Sequence, residues 1–556
     1  MKRTIILFQF LVLCGMGMFA QSSAVQKTAK SVFTLTTFNK DGTIHASSRG
    51  VFVGANGDAV SAWTPFVGAD SAVVVDANGK KMNVKVMLGA NELYDICKFK
   101  VDGKTTPAPI ATTSAPTGSK VFLLGYSVGK PQTTAATVKS VETFMNKYNY
   151  YIMNVSAPEN TVSCPFVNAN GQVIGLLQQS ETSSDIHAVD VAYPNTFAVE
   201  NGLSVSDPVL RSTGIRSALP DKQDQAVVTM MLANQQGDSL RYVAYIEDFI
   251  EKFPKATEGY TNRATNEVNA NQFDAAARDM ETCIKNATDK AEAHSNYAKL
   301  ILQKLLYKPT VEYTPWTYDK AMAEAKEAYQ VNPEPVYQHQ QAQIMFAKGE
   351  YQQAYDVFMG LTKTKLRNAE LYYEAAQCKT NLKAPKEEIK ALLDSAIAAC
   401  PTPYTNVAGP YFLARGDFYY GEGNYRAAVA DYNQYDSLML GRPISSQFYY
   451  VREQCEVKIH QYQQALNDIS RAILMTPNEP TYWAERGSLD LRVNRLEDAR
   501  DCANRCIQLS PDYPDAYIIL GIAQIQLKDK AAGLKALQKA KELGDPRADE
   551  LIKKYQ

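Results

Sequence analysis

Two hydrophobic rhythms divide the chain. Between Ser31 and about Glu200, apolar residues come in short runs rich in Val, Ile, Phe and Thr, broken by Asn56-Gly57, Asn78-Gly79 and Asn170-Gly171. Such pairs suit the left-handed backbone of tight hairpin turns, so the pattern predicts many short strands in a barrel or sandwich. From about residue 226 the apolar positions take helical spacing, and landmarks return at a period of 34: Ala465 and Ala499, Ala472 and Cys506, Pro477 and Pro511, Gly487 and Gly521. A period of that length predicts stacked helix pairs. Asn201 to Gln225, with Ser, Asp, Pro and Gly spread through it, reads as the connection, and the apolar residues within Leu210 to Arg216 are expected to pin it against a domain.

The first 20 residues follow a different pattern. Lys2 and Arg3 precede an almost continuous apolar stretch, Ile5 to Phe19, and Ala20 stands before the polar Gln21-Ser22-Ser23. This order predicts a secretory signal peptide at residues 1–20, cleaved after Ala20, and the apolar run is short for a membrane span. Cys14 offers lipid anchoring as an alternative, against which the bulky Leu13 speaks. No later segment holds about 20 consecutive apolar residues, so the mature chain is expected to be exported and not membrane-spanning.

Composition narrows the partners. With 58 basic and 59 acidic side chains the net charge is −1, which gives nucleic acid nothing to bind. A length of 556 residues exceeds a single core. The cysteines are scattered singly, without a CxxC pair or a Cys/His cluster of zinc-like spacing, so neither a metal nor any other cofactor is expected. Cys502 and Cys506, at i and i+4, are expected to pack in a core.

Several pieces of the strand-rich half carry chemical signals. They are Gly50-Val51-Phe52-Val53 with Asn56-Gly57, Val60 to Asp70, Tyr94-Asp95-Ile96-Cys97-Lys98-Phe99, Gly118 to Gly129, Asn160-Thr161-Val162-Ser163-Cys164-Pro165-Phe166-Val167-Asn168, and Gly171-Gln172-Val173-Ile174-Gly175-Leu176. In this order and spacing the stretch, residues 25–200, resembles the trypsin-like serine proteases of the HtrA type. The resemblance implies a double β-barrel and, with the signal peptide, the periplasm or envelope of a Gram-negative-type bacterium.

The same resemblance argues against the family's chemistry. Acyl transfer by a triad needs a hydroxyl or thiol nucleophile, an imidazole to take its proton, and a carboxylate to fix the imidazole. Carried over residue by residue, the imidazole position is Thr64, the carboxylate is Asp95 and the nucleophile is Val162. Asn160 stands where the family has a glycine that shapes the oxyanion hole. Asp95 is then expected to be a structural carboxylate satisfied by backbone donors. Ser163 and Cys164 lie one and two positions along and are expected to point elsewhere, and neither His45 nor His187 falls at the base position. A Cys97–Cys164 disulfide is conceivable from the resemblance, with apolar packing of Cys97 the preferred reading. If a peptide cleft survives, Trp63, Thr64, Asn160 and Val162 would line it; the other reading makes the barrels a stabilising cap on the repeats.

The periodic half, residues 226–556, resembles tetratricopeptide repeats. Gly416, Gly423, Tyr425 and Ala428 mark one copy, and Gly349, Tyr351, Ala354 and Phe358 another. About eight copies are expected, beginning near Ala264 and preceded by one helical pair at Ala226 to Phe253. Small residues at fixed places let the two helices of each unit approach closely. Repeat positions place Thr265, His339, Gln343, Asp417, Tyr420, Tyr450, Gln454, Lys458 and Arg492 on the concave face, a mix suited to a peptide or protein.

The fold class expected is therefore multidomain: an all-β double barrel, a connection at 201–225 and an all-α solenoid. The expected function is an exported protein-binding scaffold with a catalytically inactive barrel domain. An envelope endopeptidase with an unconventional catalytic site is the first alternative. A glycan-binding surface protein that uses the 33 tyrosines is the second.

Overall fold

The computed structural model describes residues 23–129, 132–157, 160–178 and 185–556. The expected signal peptide, with Lys2, Arg3, Cys14 and the cleavage point after Ala20, lies outside the described residues.

Six strands come first: β1 (Val32–Phe38), β2 (Ile44–Phe52), β3 (Asp58–Ser61), β4 (Ser71–Val75), β5 (Lys81–Asn91) and β6 (Ile96–Val101). They close into an antiparallel barrel in the order β1-β2-β3-β6-β5-β4. The next six are β7 (Lys120–Gly125), β8 (Gln132–Phe144), β9 (Tyr148–Asn154), β10 (Pro165–Val167), β11 (Val173–Gln178) and β12 (Ile186–Asp190). Their ring, β7-β8-β9-β12-β11-β10, repeats the strand order of the first.

Alternation along the strands builds three layers of core. One set of side chains fills the first barrel, with Phe33, Phe52, Phe66 and Phe99 completely or almost completely buried. Phe33 and Phe52 meet at 4.7 Å between ring centroids. Gly50 is required beside them, because a Cβ there would lie 2.3 Å from the Phe33 ring. Val121, Leu123, Tyr151, Phe166 and Ile174 fill the second barrel. Between the two, Val32, Val51, Val60, Ile96, Leu124, Val167 and Leu176 form a shared core from the opposite faces of their strands. That shared layer holds the loops of the two barrels at fixed places relative to each other.

The connection is ordered and belongs to the first barrel. Helix α1 (Ser23–Thr28) precedes the barrels and α2 (Ala192–Asn195) follows them; α3 (Pro208–Arg211) then starts the pinned stretch. Leu210 and Ile215 enter the first barrel's core. Backbone hydrogen bonds run from Gly68 to Ser212 O at 2.7 Å, Gly214 to Ala69 O at 2.7 Å, Met87 to Arg216 O at 2.9 Å and Ala218 to Met87 O at 2.8 Å. Helix α4 (Gln223–Gln235) begins within the expected connection, and α5 (Ser239–Lys252) is tied to it by Arg216–Asp248 at 2.7 Å and Ser217–Tyr245 at 3.0 Å.

The chain divides into two compact units at residues 289 and 290. The first contains the barrels, α4, α5, α6 (Thr257–Asn269) and α7 (Phe273–Asn286). The second contains α8 (Lys290–Tyr307), α9 (Tyr318–Val331), α10 (Pro335–Lys348), α11 (Tyr351–Leu361), α12 (Ala369–Asn381), α13 (Lys386–Ala398), α14 (Gly409–Gly421), α15 (Tyr425–Leu438), α16 (Ser446–Lys458), α17 (Tyr462–Met475), α18 (Pro480–Arg492), α19 (Leu496–Leu509), α20 (Pro514–Gln526), α21 (Lys530–Glu542) and α22 (Ala548–Tyr555). From α6 to α21 the helices run as eight consecutive pairs among the described residues. Fully buried alanines such as Ala428, Ala465 and Ala499 sit where the two helices of a pair meet. The long turn before α9 is anchored by Trp316, buried to 2% exposure, whose indole N–H donates to the Tyr297 hydroxyl.

A charged clamp recurs in these pairs. Arg263 is bidentate to Asp279, Arg415 to Asp431 and Arg452 to Asp468, each arginine on the first helix and each aspartate on the second. The same guanidinium also reaches an acid on an earlier helix: Glu247 for Arg263, Asp394 for Arg415 and Asp436 for Arg452. A planar fork meeting two carboxylates fixes both the pair and its predecessor.

Candidate functional site

The shared core brings the three triad positions to one place. On the first barrel, the short 3₁₀ turn Thr64–Phe66 follows β3, and Asp95 precedes β6. One carboxylate oxygen of Asp95 accepts the Trp63 N–H at 3.0 Å, the Thr64 N–H at 2.6 Å and the Thr64 hydroxyl at 2.9 Å. Asp95 is thus satisfied by backbone donors plus the hydroxyl at the base position, and its own backbone is left-handed at φ 40°.

On the second barrel, Val162 sits in a tight turn between β9 and β10. Asn160 and Ser163 take φ values of 60° and 64°. The asparagine therefore keeps the left-handed geometry for which the family uses glycine, which Asn tolerates better than most residues. The Ser163 N–H donates to Leu177 O at 2.8 Å, and the Cys164 N–H to Thr161 O at 2.9 Å. Across the barrels, the Arg49 N–H donates to Val162 O at 3.2 Å, the Ala62 N–H to the Ser163 hydroxyl at 3.0 Å, and the Ser48 hydroxyl to Ser163 at 3.3 Å. Ser163 is buried and works as a buckle between the loops.

The nearby nucleophile and base candidates are engaged elsewhere. Cys97 and Cys164 are both buried and carry no disulfide. The Cys97 thiol donates to Ala62 O at 3.3 Å, and burial pushes it well above the ordinary thiol range. Burial likewise pushes Cys164 up to about 12, so neither is a thiolate at neutral pH. The His45 ring is held by Asn39 and by Val67 O at 2.9 Å each, and the His187 ring packs on Tyr150.

One expected cleft residue is displaced. Trp63 is only 2% exposed, stacks on Phe66 and belongs to the first barrel's core, because the chain turns at Trp63 into the short 3₁₀ segment after β3 and lays the indole against that ring. Thr64 and Asn160 are exposed and Val162 is half-buried. Among the described residues both barrels are closed rings, although β2 at residues 44–48 pairs with β1 alone and β8 at residues 138–144 with β9 alone.

In the helical region the residues expected on the concave face fall into small groups. The His339 ring meets Glu374 at 2.5 Å, and the Gln343 amide donates to the same carboxylate at 2.8 Å. The Tyr420 hydroxyl donates to Gln454 at 2.9 Å, and Asp417 accepts from Tyr432 at 2.8 Å. The Tyr450 ring packs on Tyr482 at 5.3 Å. Lys458 and Arg492 are exposed. Thr265 lies in the first compact unit, its hydroxyl bound to Thr261 O on its own helix. Many tyrosines, Tyr432, Tyr435, Tyr449 and Tyr482 among them, belong to or pack on the cores between helices.

Sequence reasoning missed the acids beside these residues: Glu374, which holds His339 and Gln343, and Glu453 and Glu485, whose charges act on Tyr450. Glu453 held a readable signal. It stands 34 residues before Gly487 and 68 before Gly521, at a place where the repeat wants a small residue. Among the described residues no helix is long and apolar enough to cross a membrane. No group of three or more His, Cys, Asp or Glu side chains is placed to hold a metal ion there either.

Residues 48–176 match the trypsin-like peptidase domain, and residues 484–548 match the tetratricopeptide repeat. Among curated proteins, the E3 ubiquitin-protein ligase CHIP of Arabidopsis thaliana is 30% identical over 87 residues, which cover 16% of this chain and 31% of that protein. The match spans well under half of that relative. The chain joins a trypsin-like double β-barrel, matched at residues 48–176, to an all-α region that carries tetratricopeptide repeats, matched at 484–548.

Proposed function

We propose that this is an exported protein-binding scaffold whose trypsin-like domain is catalytically inactive and whose repeats carry the recognition surface. The observation that carries the reading is the Asp95 carboxylate: the donors it accepts are two backbone amides and the Thr64 hydroxyl, in the place where a triad would put an imidazole. With Val162 across from it, no proton relay connects an acid to a nucleophile. Repeated helix pairs offer a long surface made of side chains from successive first helices, suited to an extended polypeptide. The apolar stretch at residues 5–19 supports export to a bacterial envelope.

A fluorophosphonate probe on the purified full-length protein tests inactivity: no labelling is expected, and stoichiometric labelling would overturn it. Crosslinking capture from the native envelope, comparing wild type with variants on the first helices of α10 to α18, tests the scaffold role. A partner lost on those substitutions supports the repeats; a partner lost only on substitution around Thr64 and Asn160 would move recognition to the barrels.

A further inference from the structure

Helices α16 and α18 are the first helices of consecutive pairs and lie side by side. Tyr450 of α16 packs on Tyr482 of α18 at 5.3 Å. One turn further along, the same two positions are occupied by Glu453 and Glu485. Ring pair and carboxylate pair are therefore stacked along one seam.

Glu453 is an unusual tenant. The equivalent place in neighbouring repeats is Gly416, Gly487 or Gly521, where a Cβ would come within 2.6 to 3.2 Å of its nearest neighbour. Here a full carboxyl is 1% exposed, and its Oε2 has no hydrogen-bond partner among the described residues. A buried carboxylate without a partner is costly, and a like charge beside it adds to the cost. The guanidinium on the same helix, Arg452, is taken up by Asp468, Asp436 and Asn433. Arg492 offsets both glutamates only from an exposed position. Among the described residues no metal-binding group forms there.

We propose that the Glu453–Glu485 pair, flanked by Tyr450 and Tyr482, is a recognition site for a lysine or arginine side chain presented by a polypeptide partner. An entering cation pairs with the Glu485 carboxylate and favours loss of the proton that burial keeps on Glu453, in a partly desolvated setting where the attraction is strong. The adjoining tyrosine rings add cation–π contact to the alkyl-ammonium or guanidinium. Glu485 is half-buried, the more accessible of the two acids, and Gln454, also half-buried, follows Glu453 on the same helix. The proposal rests on the reading of the repeats as the partner-binding surface and names the chemistry that surface selects.

The test uses the full-length protein and fluorescent hexalysine, hexaarginine and hexaglutamate peptides, with affinity read by anisotropy. Wild type is expected to bind the two basic peptides and not the acidic one. Glu485→Gln is expected to weaken basic-peptide binding at least tenfold, about 1.4 kcal/mol. Glu550→Gln, which removes the same charge from the exposed face of α22, is expected to change it less than twofold. Equal losses in the two variants, or hexaglutamate binding as well as hexalysine, would overturn the site. Envelope capture separates this from the broader reading. A partner retained by Glu485→Gln but lost on substitutions elsewhere on the repeats refutes the cation site alone. Failure of every repeat substitution to affect capture refutes the scaffold reading, while the peptide arm still decides the site.

Discussion

The Thr64 hydroxyl donates to Asp95 at 2.9 Å, on the same oxygen that takes the Trp63 and Thr64 amides. A carboxylate that a protease would use to orient an imidazole here pins the loop between β3 and β4. Asp95→Ala should leave these donors without their acceptor and cost about 1–3 kcal/mol of stability. Thr64→Val removes one exposed donor and should cost less than about 1 kcal/mol. Urea unfolding of the three proteins gives the order; equal stability of Asp95→Ala and wild type would mean that the loop is held by other means.

A serine placed at residue 162 alone should not create acyl-transfer chemistry. Val162→Ser keeps the left-handed residues Asn160 and Ser163 on either side and the buckle from Ser163 to Ala62, so the turn is expected to persist. Without an imidazole at residue 64 its hydroxyl stays at an ordinary, weakly nucleophilic pKa. Fluorophosphonate labelling of Val162→Ser is expected to match wild type. Labelling of this single variant would reveal a base supplied from elsewhere.

The arginine clamps make a third prediction. Arg452 is 5% exposed and holds Asp468 and Asp436 together. Arg452→Ala should leave a buried carboxylate at Asp468 uncompensated and cost about 3–5 kcal/mol. Arg452→Lys should recover only part, since an ammonium cannot reproduce two parallel bonds to one carboxylate. Arg500→Ala, which removes a half-exposed pair with neighbouring Asp501, should lie within about 1 kcal/mol of wild type. Thermal or urea unfolding of the three variants checks the ranking.

Much of the architecture was legible because its signals are local. Asn-Gly turns between Val- and Thr-rich runs mark hairpins, and the 34-residue return of Ala465, Gly487 and Pro477 marks helix pairs. The structural role of Asp95 was legible too, since a threonine at residue 64 leaves the carboxylate to backbone donors and the Thr64 hydroxyl. What escaped are contacts between distant residues whose pairing no spacing rule announces. Repeat position alone put His339, Gln343 and Asp417 on a binding face, yet each is held by a neighbour: the first two by Glu374, the third by Tyr432. Trp63 was placed in a cleft because it stands beside Thr64 in sequence, while the turn after β3 stacks its ring on Phe66 in the core. The arginine clamps did leave a trace, a fixed interval between Arg263 and Asp279, Arg415 and Asp431, and Arg452 and Asp468. That trace is readable only once arginine is considered as an interior residue.

Glu453 gives the stability a pH dependence of definite sign. Burial foremost, and then the Glu485 charge, push its carboxyl from an ordinary 4.5 up to about 8 in the folded chain. Between those values the folded protein keeps a proton that the unfolded chain releases, so stability falls as pH rises from about 4.5 to about 8. Below that window both states are protonated and the residue contributes nothing; above it both are ionised and the full cost of the buried charge is present. Burial pushes Glu456, one turn along, the same way to about 8. At His339 burial works against the charge, but the bond to Glu374 outweighs it and raises the ring, whose contribution is also lost as pH rises. Glu453→Gln removes one of these titrations while keeping the shape of the side chain. Its urea-unfolding free energy should match wild type near pH 4.5 and exceed it by about 2 kcal/mol or more above pH 8, since a tenfold difference in proton affinity between the two states is worth about 1.4 kcal/mol. Parallel pH profiles for the two proteins would mean that the carboxyl meets water or a partner that this packing does not provide. The same profile repeated with saturating hexalysine links stability to the site: a bound cation lowers the cost of ionising Glu453, so the wild-type curve should flatten towards that of the variant.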